Sequence, residues 1–399
     1  ASLADGESTI RNPLVSLDTK AAVEVYRAFG AIVGTHGCAP SHWTVKGTSG
    51  RPHLPAGVVD TANSGTTFNI ALGTAALIEG TTILTGDEQT RSRPVGPLIH
   101  SLRDLGAEVF SPAGTDLPPI TVKGKIRGGR TSMRAVSSQY LTSLLINCPL
   151  AQGDTEIILS ELNERPYIEM TLAWLRRQGI ACEHDDELSF FRIPGGQAYR
   201  GFDERIAGDF SSATFFLVAA AITGSEVVFD GLDMNDPQGD KAVVQFLEQM
   251  GAEVKAEEDR IVLQGGSLHG IGEVDMNATP DALPAMAVAA SYAEGTTRLV
   301  NVPQARLKET DRISVMCSEL TKMGAKVEEL TDGLVINGTG TLRGAKVHGH
   351  GDHRVVMALA VAGLAADGVT EVDTAESAAV TFPDFLDKMR SLGAGIEQL

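Results

Sequence analysis

The stretch Arg306-Leu307-Lys308-Glu309-Thr310-Asp311-Arg312 concentrates groups able to do chemistry: five of its seven side chains ionise. It leads into Ile313, Met316, Leu320 and Met323, whose spacing of three and four predicts an amphipathic helix. The charged residues then fill the first turn and the loop before it. If the helix already includes Lys308, Arg312 lies one turn on and on the same face. Two cations and Glu309 would cluster at a helix N-terminus, which itself favours anions. Such a group can hold an anionic substrate. A solvated helix start also fits this heptamer, because exposed ion pairs are common and contribute little.

Five other apolar helix patterns begin with polar residues. They are Asn63-Ser64-Gly65-Thr66-Thr67, Ser137-Ser138-Gln139, Asp209-Phe210-Ser211-Ser212, Thr279-Pro280-Asp281 and Gly351-Asp352-His353-Arg354. N-capping accounts for the Ser, Thr, Asp and Asn. It does not account for Gln139, or for His353-Arg354 ahead of Val355-Val356-Met357, because Arg at a helix N-terminus opposes the dipole. An anion seated there would offset that cost. Arg91 and Arg93 precede another helix, and Arg93-Pro94 fits its first turn. Taken alone, a surface Arg is the plainer reading of that pair. His348, His350 and His353 are close in sequence, but the Gly-rich loop between them gives no ligand geometry, so no metal is expected. No P-loop or dinucleotide fingerprint is present, and no nucleophile elbow supports a Ser-His-Asp triad.

Two interleaved repeats must position these helix starts. A helix ending in a hydrophobic residue and Gly recurs six times, with Gly30, Gly106, Gly179, Gly251, Gly324 and Gly393 spaced roughly 70 to 75 residues apart. Each Gly is the expected helix C-cap. A second series holds long, small-residue-rich apolar helices that end in a turn glycine: Gly80, Gly153, Gly224, Gly295 and Gly368. Helices with so few charges are buried on most faces. The pattern predicts helices inside with sheet around them, three units per domain, and a boundary near Ala207-Gly208. Gly6 carries the sixth turn, so the repeat expects the chain to begin inside the first buried helix, with its N-terminal segment missing. Similarly oriented helices would aim their N–H groups at one end of each domain, giving an anion cleft if the two ends face each other.

With 399 residues, two domains of about 200 residues are the natural expectation. Hydrophobic content of 43% and charged content of 21% describe a soluble globular chain. The net charge of −18 argues against nucleic acid or an anionic membrane as partner, but not against a small anion held by local cations. Cys38, Cys148, Cys182 and Cys317 are scattered without a C-x-x-C, which suits reduced thiols in the cytoplasm. Cys148 and Cys317 sit in apolar helical patterns and read as core. The longest apolar run, Ala213 to Ile222, is too short to cross a bilayer.

Along nearly its whole length the chain resembles the 3-phosphoshikimate 1-carboxyvinyltransferase (5-enolpyruvylshikimate-3-phosphate synthase) family of enolpyruvyl transferases. The matching stretches, in the family's order, are Asn63-Ser64-Gly65-Thr66, Arg91-Ser92-Arg93-Pro94, Ser137-Ser138-Gln139, Arg165-Pro166-Tyr167, Gly208 to Ala213, Pro280-Asp281, Lys308 to Arg312, Asp352-His353-Arg354 and Thr381-Phe382-Pro383-Asp384. The resemblance implies a two-domain inside-out α/β barrel of six βαβαββ repeats with buried parallel helices. The domains would be residues 1–206 and 207–399, with the active site in the cleft between them.

The resemblance also implies enolpyruvyl transfer from phosphoenolpyruvate to shikimate 3-phosphate by a monomer, with no metal or organic cofactor. Ser137, Ser138, Gln139, Asp281, Gln304 and Lys308 are then expected on shikimate 3-phosphate. Gly65, Arg93, Gln139, Arg312 and Arg354 are expected on phosphoenolpyruvate, and Asp281 and Glu309 handle protons. The family's Lys-Ser loop, which would fall before Ala1, is absent. Glu164 stands where the family usually has a phosphate-binding Ser; a carboxylate there repels phosphate unless it turns away to Arg165. Val380 and Asn69 also depart from frequent family residues. The competing readings are an inactive fragment, a non-catalytic phosphate-ligand binding protein of the same fold, and a UDP-N-acetylglucosamine enolpyruvyl transferase. The last would carry a Cys near Asp87 to Pro94, and none is there.

Overall fold

The computed structural model describes residues 1–36 and 42–399, so Cys38 lies outside the described residues. They divide into two compact units, Ala1–Ile206 and Ala207–Leu399. Unit 1 carries α1 (Leu17–Ala28), α2 (Gly65–Ala75), α3 (Glu88–Arg91), α4 (Gly96–Asp104), α5 (Ser138–Asn147) and α6 (Arg165–Arg177). Unit 2 carries α7 (Phe210–Thr223), α8 (Ala242–Gln249), α9 (Leu283–Tyr292), α10 (Arg312–Lys322), α11 (His353–Leu364) and α12 (Phe385–Ser391).

The strands of unit 1 are β1 (Glu7–Arg11), β2 (Ile32–His36), β3 (His42–Lys46), β4 (Val59–Asp60), β5 (Thr81–Thr85), β6 (Glu108–Phe110), β7 (Ile120–Lys123), β8 (Gly129–Ala135), β9 (Thr155–Leu162), β10 (Glu183–His184), β11 (Phe190–Ile193) and β12 (Asp203–Arg205). They form three four-stranded sheets of one topology, β12-β1-β3-β2, β4-β5-β7-β6 and β10-β11-β9-β8. Each has one parallel pair beside two antiparallel ones. The pairing of Thr9 with Asp203 ties the last strand of the unit to its first.

Unit 2 has β13 (Glu226–Asp230), β14 (Glu253–Ala256), β15 (Arg260–Gln264), β16 (Gly272–Asp275), β17 (Glu294–Val300), β18 (Lys326–Leu330), β19 (Gly333–Thr339), β20 (Lys346–Val347) and β21 (Glu371–Val372). The sheet β16-β17-β19-β18 repeats the same topology. The sets β13-β15-β14 and β20-β21 supply parts of it among the described residues.

Burial follows the composition of each helix. Every residue of α9 is buried, and α2, α5, α7 and α11 are buried over most of their length. These are the helices with almost no charged residues, so each can face apolar neighbours all round. By contrast α4, α6, α8 and α10 bury one face only, and strands such as β13 keep exposed residues in alternation. The fold is therefore α/β with helices inside and sheets outside in each unit. All six glycines that follow the outer helices have positive φ, from 69° at Gly179 to 110° at Gly251, where a side chain would be strained. No helix among the described residues is long and apolar enough to cross a membrane.

Local expectations fail at several places. Lys308 is not helical: it follows a 3-10 turn over Pro303–Leu307 with extended backbone, and α10 begins only at Arg312, capped by the Asp311 side chain on Ser314 N. Arg93-Pro94 does not open a helix. Arg91 ends the short α3, and Pro97 takes the first turn of α4, where a missing N–H costs nothing. Cys148 is fully buried, as its apolar surroundings imply, and burial pushes its thiol up to about 12. Cys317 is only partly buried. Ala1 to Ala4 form a hydrogen-bonded turn rather than helix.

Candidate active site

In unit 2 three helix starts bring six charged side chains together. Arg312 opens α10 with its side chain 1% exposed, and Asp352 caps α11 with its side chain 0% exposed. Arg312 Nε donates to Asp352 at 2.8 Å, Nη1 to Asp281 at 2.8 Å, and Nη2 to Glu309 at 2.5 Å and Asp352 at 3.1 Å. Asp281, in the 3-10 turn before α9, also faces Lys308 Nζ at 3.7 Å and Arg354 Nη2 at 3.3 Å. Three carboxylates thus meet three cations. Lys308 and Arg354 keep 17% and 13% of their side chains exposed. The Arg312 guanidinium, expected on the donor substrate, is instead occupied on every nitrogen by carboxylates. Two of those come from segments 31 and 40 residues away, which spacing within the heptamer could not reveal.

The electrostatics follow from the geometry. Burial alone would raise the Asp281 carboxyl, but Arg354, Lys308 and Arg312 outweigh it and hold it well below the usual range. Burial opposes the charge on Arg312, yet Asp352, Glu309 and Asp281 raise it further above its ordinary value. His353 is pushed down to about 4 by burial, against the pull of Glu309 and Asp352, and its Nδ1 has no hydrogen-bond partner. Gln304 is buried, donates to Asn277 O at 3.1 Å, and leaves its Oε1 without a partner.

Glu309, Asp352 and His353 offer ligand atoms within 4.8 Å of one another. Arg312 already bridges the two carboxylates, so a metal ion there would face a fixed guanidinium. His348 and His350 belong to a different cluster, with ring centroids 4.3 Å apart, bonded to Asp373 and Glu319.

In unit 1 a separate group of the expected residues lies on α2 and α5. Gln139 Nε2 donates to Thr66 Oγ1 at 2.9 Å and its Oε1 accepts from Asn69 Nδ2 at 2.8 Å, so its amide is fixed by α2. Arg93 packs on the first turn of α2. A Cβ at Gly65 would lie 2.5 Å from Arg93 Nη1, so any other residue there would make the guanidinium shift. Ser137 caps α5 by accepting from Gln139 N at 3.4 Å. Ser138, expected on a phosphate, donates through N at 3.0 Å and Oγ at 2.6 Å to Glu164. Glu164 therefore does not turn to Arg165, which pairs with Glu169 and Asp186 O.

Two acidic groups escaped the sequence reading. Asp352 looked like a plain cap, and it is one, accepting from Arg354 N at 2.9 Å, but it also seats Arg312. Asp240 lies in a 3-10 turn before α8. Burial first, then the charge of Asp281, pushes it up to about 7, although Arg354 pulls the other way. No local pattern marks Asp240; only packing places it within reach of Asp281.

Known proteins share this arrangement of sequence and fold. The sequence profile described as EPSP synthase (3-phosphoshikimate 1-carboxyvinyltransferase) matches residues 1–389. A 3-phosphoshikimate 1-carboxyvinyltransferase of Ruminiclostridium cellulolyticum is 53% identical over 397 residues, covering 100% of this chain and 93% of that relative. The one from Acetivibrio thermocellus is 54% identical over 396 residues, covering 99% and 92%. A solved EPSP synthase from Acinetobacter baumannii superposes with a TM-score of 0.81 at 28% identity, covering 99% of this chain and 92% of that one. The chain belongs to the EPSP synthase family.

Proposed function

We propose that this chain transfers the enolpyruvyl group of phosphoenolpyruvate to the 5-hydroxyl of shikimate 3-phosphate and releases phosphate. The observation that carries the reading is Asp281, a carboxylate kept ionised by three cations and joined to Glu309 through Arg312. The hydroxyl attacks C2 of the donor as a proton is delivered to C3. A proton then leaves the resulting methyl group and phosphate departs. Two carboxylates in different settings suit these transfers: Asp281 is the base for the hydroxyl, and Glu309 serves the C3 proton.

Lys308, Asp281 and Gln304 take the shikimate ring hydroxyls; the buried Gln304 Oε1 is an acceptor waiting for such a donor. Ser137, Ser138 and Gln139 take its phosphate side. Gly65, Arg93, Gln139 and Arg354 take phosphoenolpyruvate. Arg312 serves the donor from beneath by holding Asp281 and Glu309 in place. Fixed cations neutralise the donor's phosphate and carboxylate, so this chemistry uses no cofactor. The same reading has a cytoplasmic monomer acting on small molecules, and sedimentation tests the oligomeric part.

The test is phosphate release. It is expected only when phosphoenolpyruvate and shikimate 3-phosphate are both present. No release, or release with UDP-N-acetylglucosamine as acceptor, overturns the assignment.

A further inference from the structure

The first turn of α5 leaves backbone N–H groups without intrahelical partners, and its dipole favours a negative charge. That position is already filled by the chain itself. Glu164 accepts from both Ser138 N and Ser138 Oγ while only 2% exposed. Its backbone is left-handed, with φ 61° and ψ 41°, uncommon for a residue with a Cβ. It occupies the N-cap position of α6 yet makes no side-chain cap to α6, spending its carboxylate on α5 instead. The adjacent cation, Arg165, is bonded to Glu169 and Asp186 O.

We infer that Glu164 is an internal anion that closes the N-terminus of α5, and that a phosphorylated ligand seats its phosphate there only after this carboxylate leaves Ser138. The inference rests on the reading of Ser137 and Ser138 as the phosphate side of the site. A phosphate and a carboxylate cannot share the Ser138 N–H and hydroxyl, because like charges at contact distance in a buried setting repel strongly. Affinity for the ligand is then the intrinsic affinity reduced by the fraction of molecules in which Glu164 has moved away. Glu164 is thus a specificity-determining residue: it weakens binding of the phosphorylated acceptor relative to an unphosphorylated one.

The test is calorimetric titration of the whole chain and of Glu164→Ser and Glu164→Gln with three probes: shikimate 3-phosphate, shikimate and inorganic phosphate. Glu164→Ser, which removes the carboxylate and its reach, is expected to bind shikimate 3-phosphate and inorganic phosphate roughly tenfold more tightly, the worth of one charge-assisted hydrogen bond. Shikimate should change by less than about twofold, since no phosphate competes. The isosteric Glu164→Gln should fall between. Adding Ser138→Ala to Glu164→Ser should abolish the gain, which locates it at α5. If both single variants fold, by circular dichroism, and bind phosphate no more tightly than the parent, Glu164 is a structural cap and the inference is overturned. Enolpyruvyl transfer by the parent judges the proposed function separately. Tighter inorganic phosphate without turnover in any form keeps the gate and sinks the synthase reading. Turnover with unchanged phosphate affinity does the reverse.

Discussion

Replacing Arg312 by Met keeps an unbranched apolar stem out to about the Nε position and removes the guanidinium with its charge. The guanidinium makes four hydrogen bonds to Asp352, Asp281 and Glu309, and the Arg312 and Asp352 side chains are 1% and 0% exposed. Without it Asp352 keeps Thr310 Oγ1 and the α11 N–H groups, but no counter-charge from Arg312. Removing one member of a buried ion pair costs about 3–5 kcal/mol. For a domain of this size that is roughly a 6–20 °C loss in the unfolding midpoint.

The deficit depends on pH. Asp281 has a depressed folded pKa, so its contribution is present above the unfolded carboxylate value near ~3.9 and lost as pH falls through the folded value. In Arg312→Met the Asp281 carboxyl loses one of the three cations that hold it down, so the deficit should be full at pH ~7 and shrink only as pH falls below ~3.9. Thermal unfolding followed by far-ultraviolet circular dichroism measures it. Trp43 and Trp174 both lie in unit 1, so fluorescence reports the unit without the substitution. A deficit under about 1 kcal/mol at neutral pH, or one that grows on acidification, would refute the reasoning.

Three further outcomes are expected. His353 is held near 4 against an ordinary value of 6.5, so below pH ~6.5 the unfolded chain takes a proton that the folded chain refuses, and stability falls by on the order of 3 kcal/mol down to pH ~4. His353→Asn should flatten that slope in denaturation curves at successive pH values, and parallel slopes would count against it. At Gly73 a Cβ would run into Ser143 Oγ and Asn147 Nδ2, the polar seam between α2 and α5. Gly73→Ala should therefore cost about 1–3 kcal/mol despite Ala's better helix propensity, read from the tryptophan fluorescence midpoint in urea; a stabilised variant would contradict the packing argument. Glu319 is buried in α10 and accepts from Lys322 Nζ, His348 N and His350 Nε2. Glu319→Ala should cost about 1–3 kcal/mol and speed amide exchange over residues 348–351, and unchanged protection there would show the loop is held by other contacts.

What could be read from the sequence alone was what depends on neighbours along the chain. Helix starts are local, because a cap reaches two or three residues on, and Asp209, Ser137 and Asp352 all cap as their types suggest. The six glycines after the outer helices are local too, since only φ decides them. Low charge over ten or more residues is enough to bury a helix, which made the inside-out arrangement legible. Motif order along the chain carried the family. Partners across the fold were not legible. Arg312 meets Asp281 and Asp352 because the starts of α9, α10 and α11 converge, and no spacing inside the heptamer Arg306 to Arg312 encodes that. Lys308 is extended because a 3-10 turn precedes it, so helical spacing misjudged its face. Glu164 looked free to turn toward Arg165, but a left-handed backbone and a buried position direct it to Ser138. The sequence determined which charged and hydrogen-bonding groups exist and which helix ends carry them. Only tertiary structure decided which carboxylate neutralises which cation, because that choice depends on distances of a few ångströms between segments far apart in the chain.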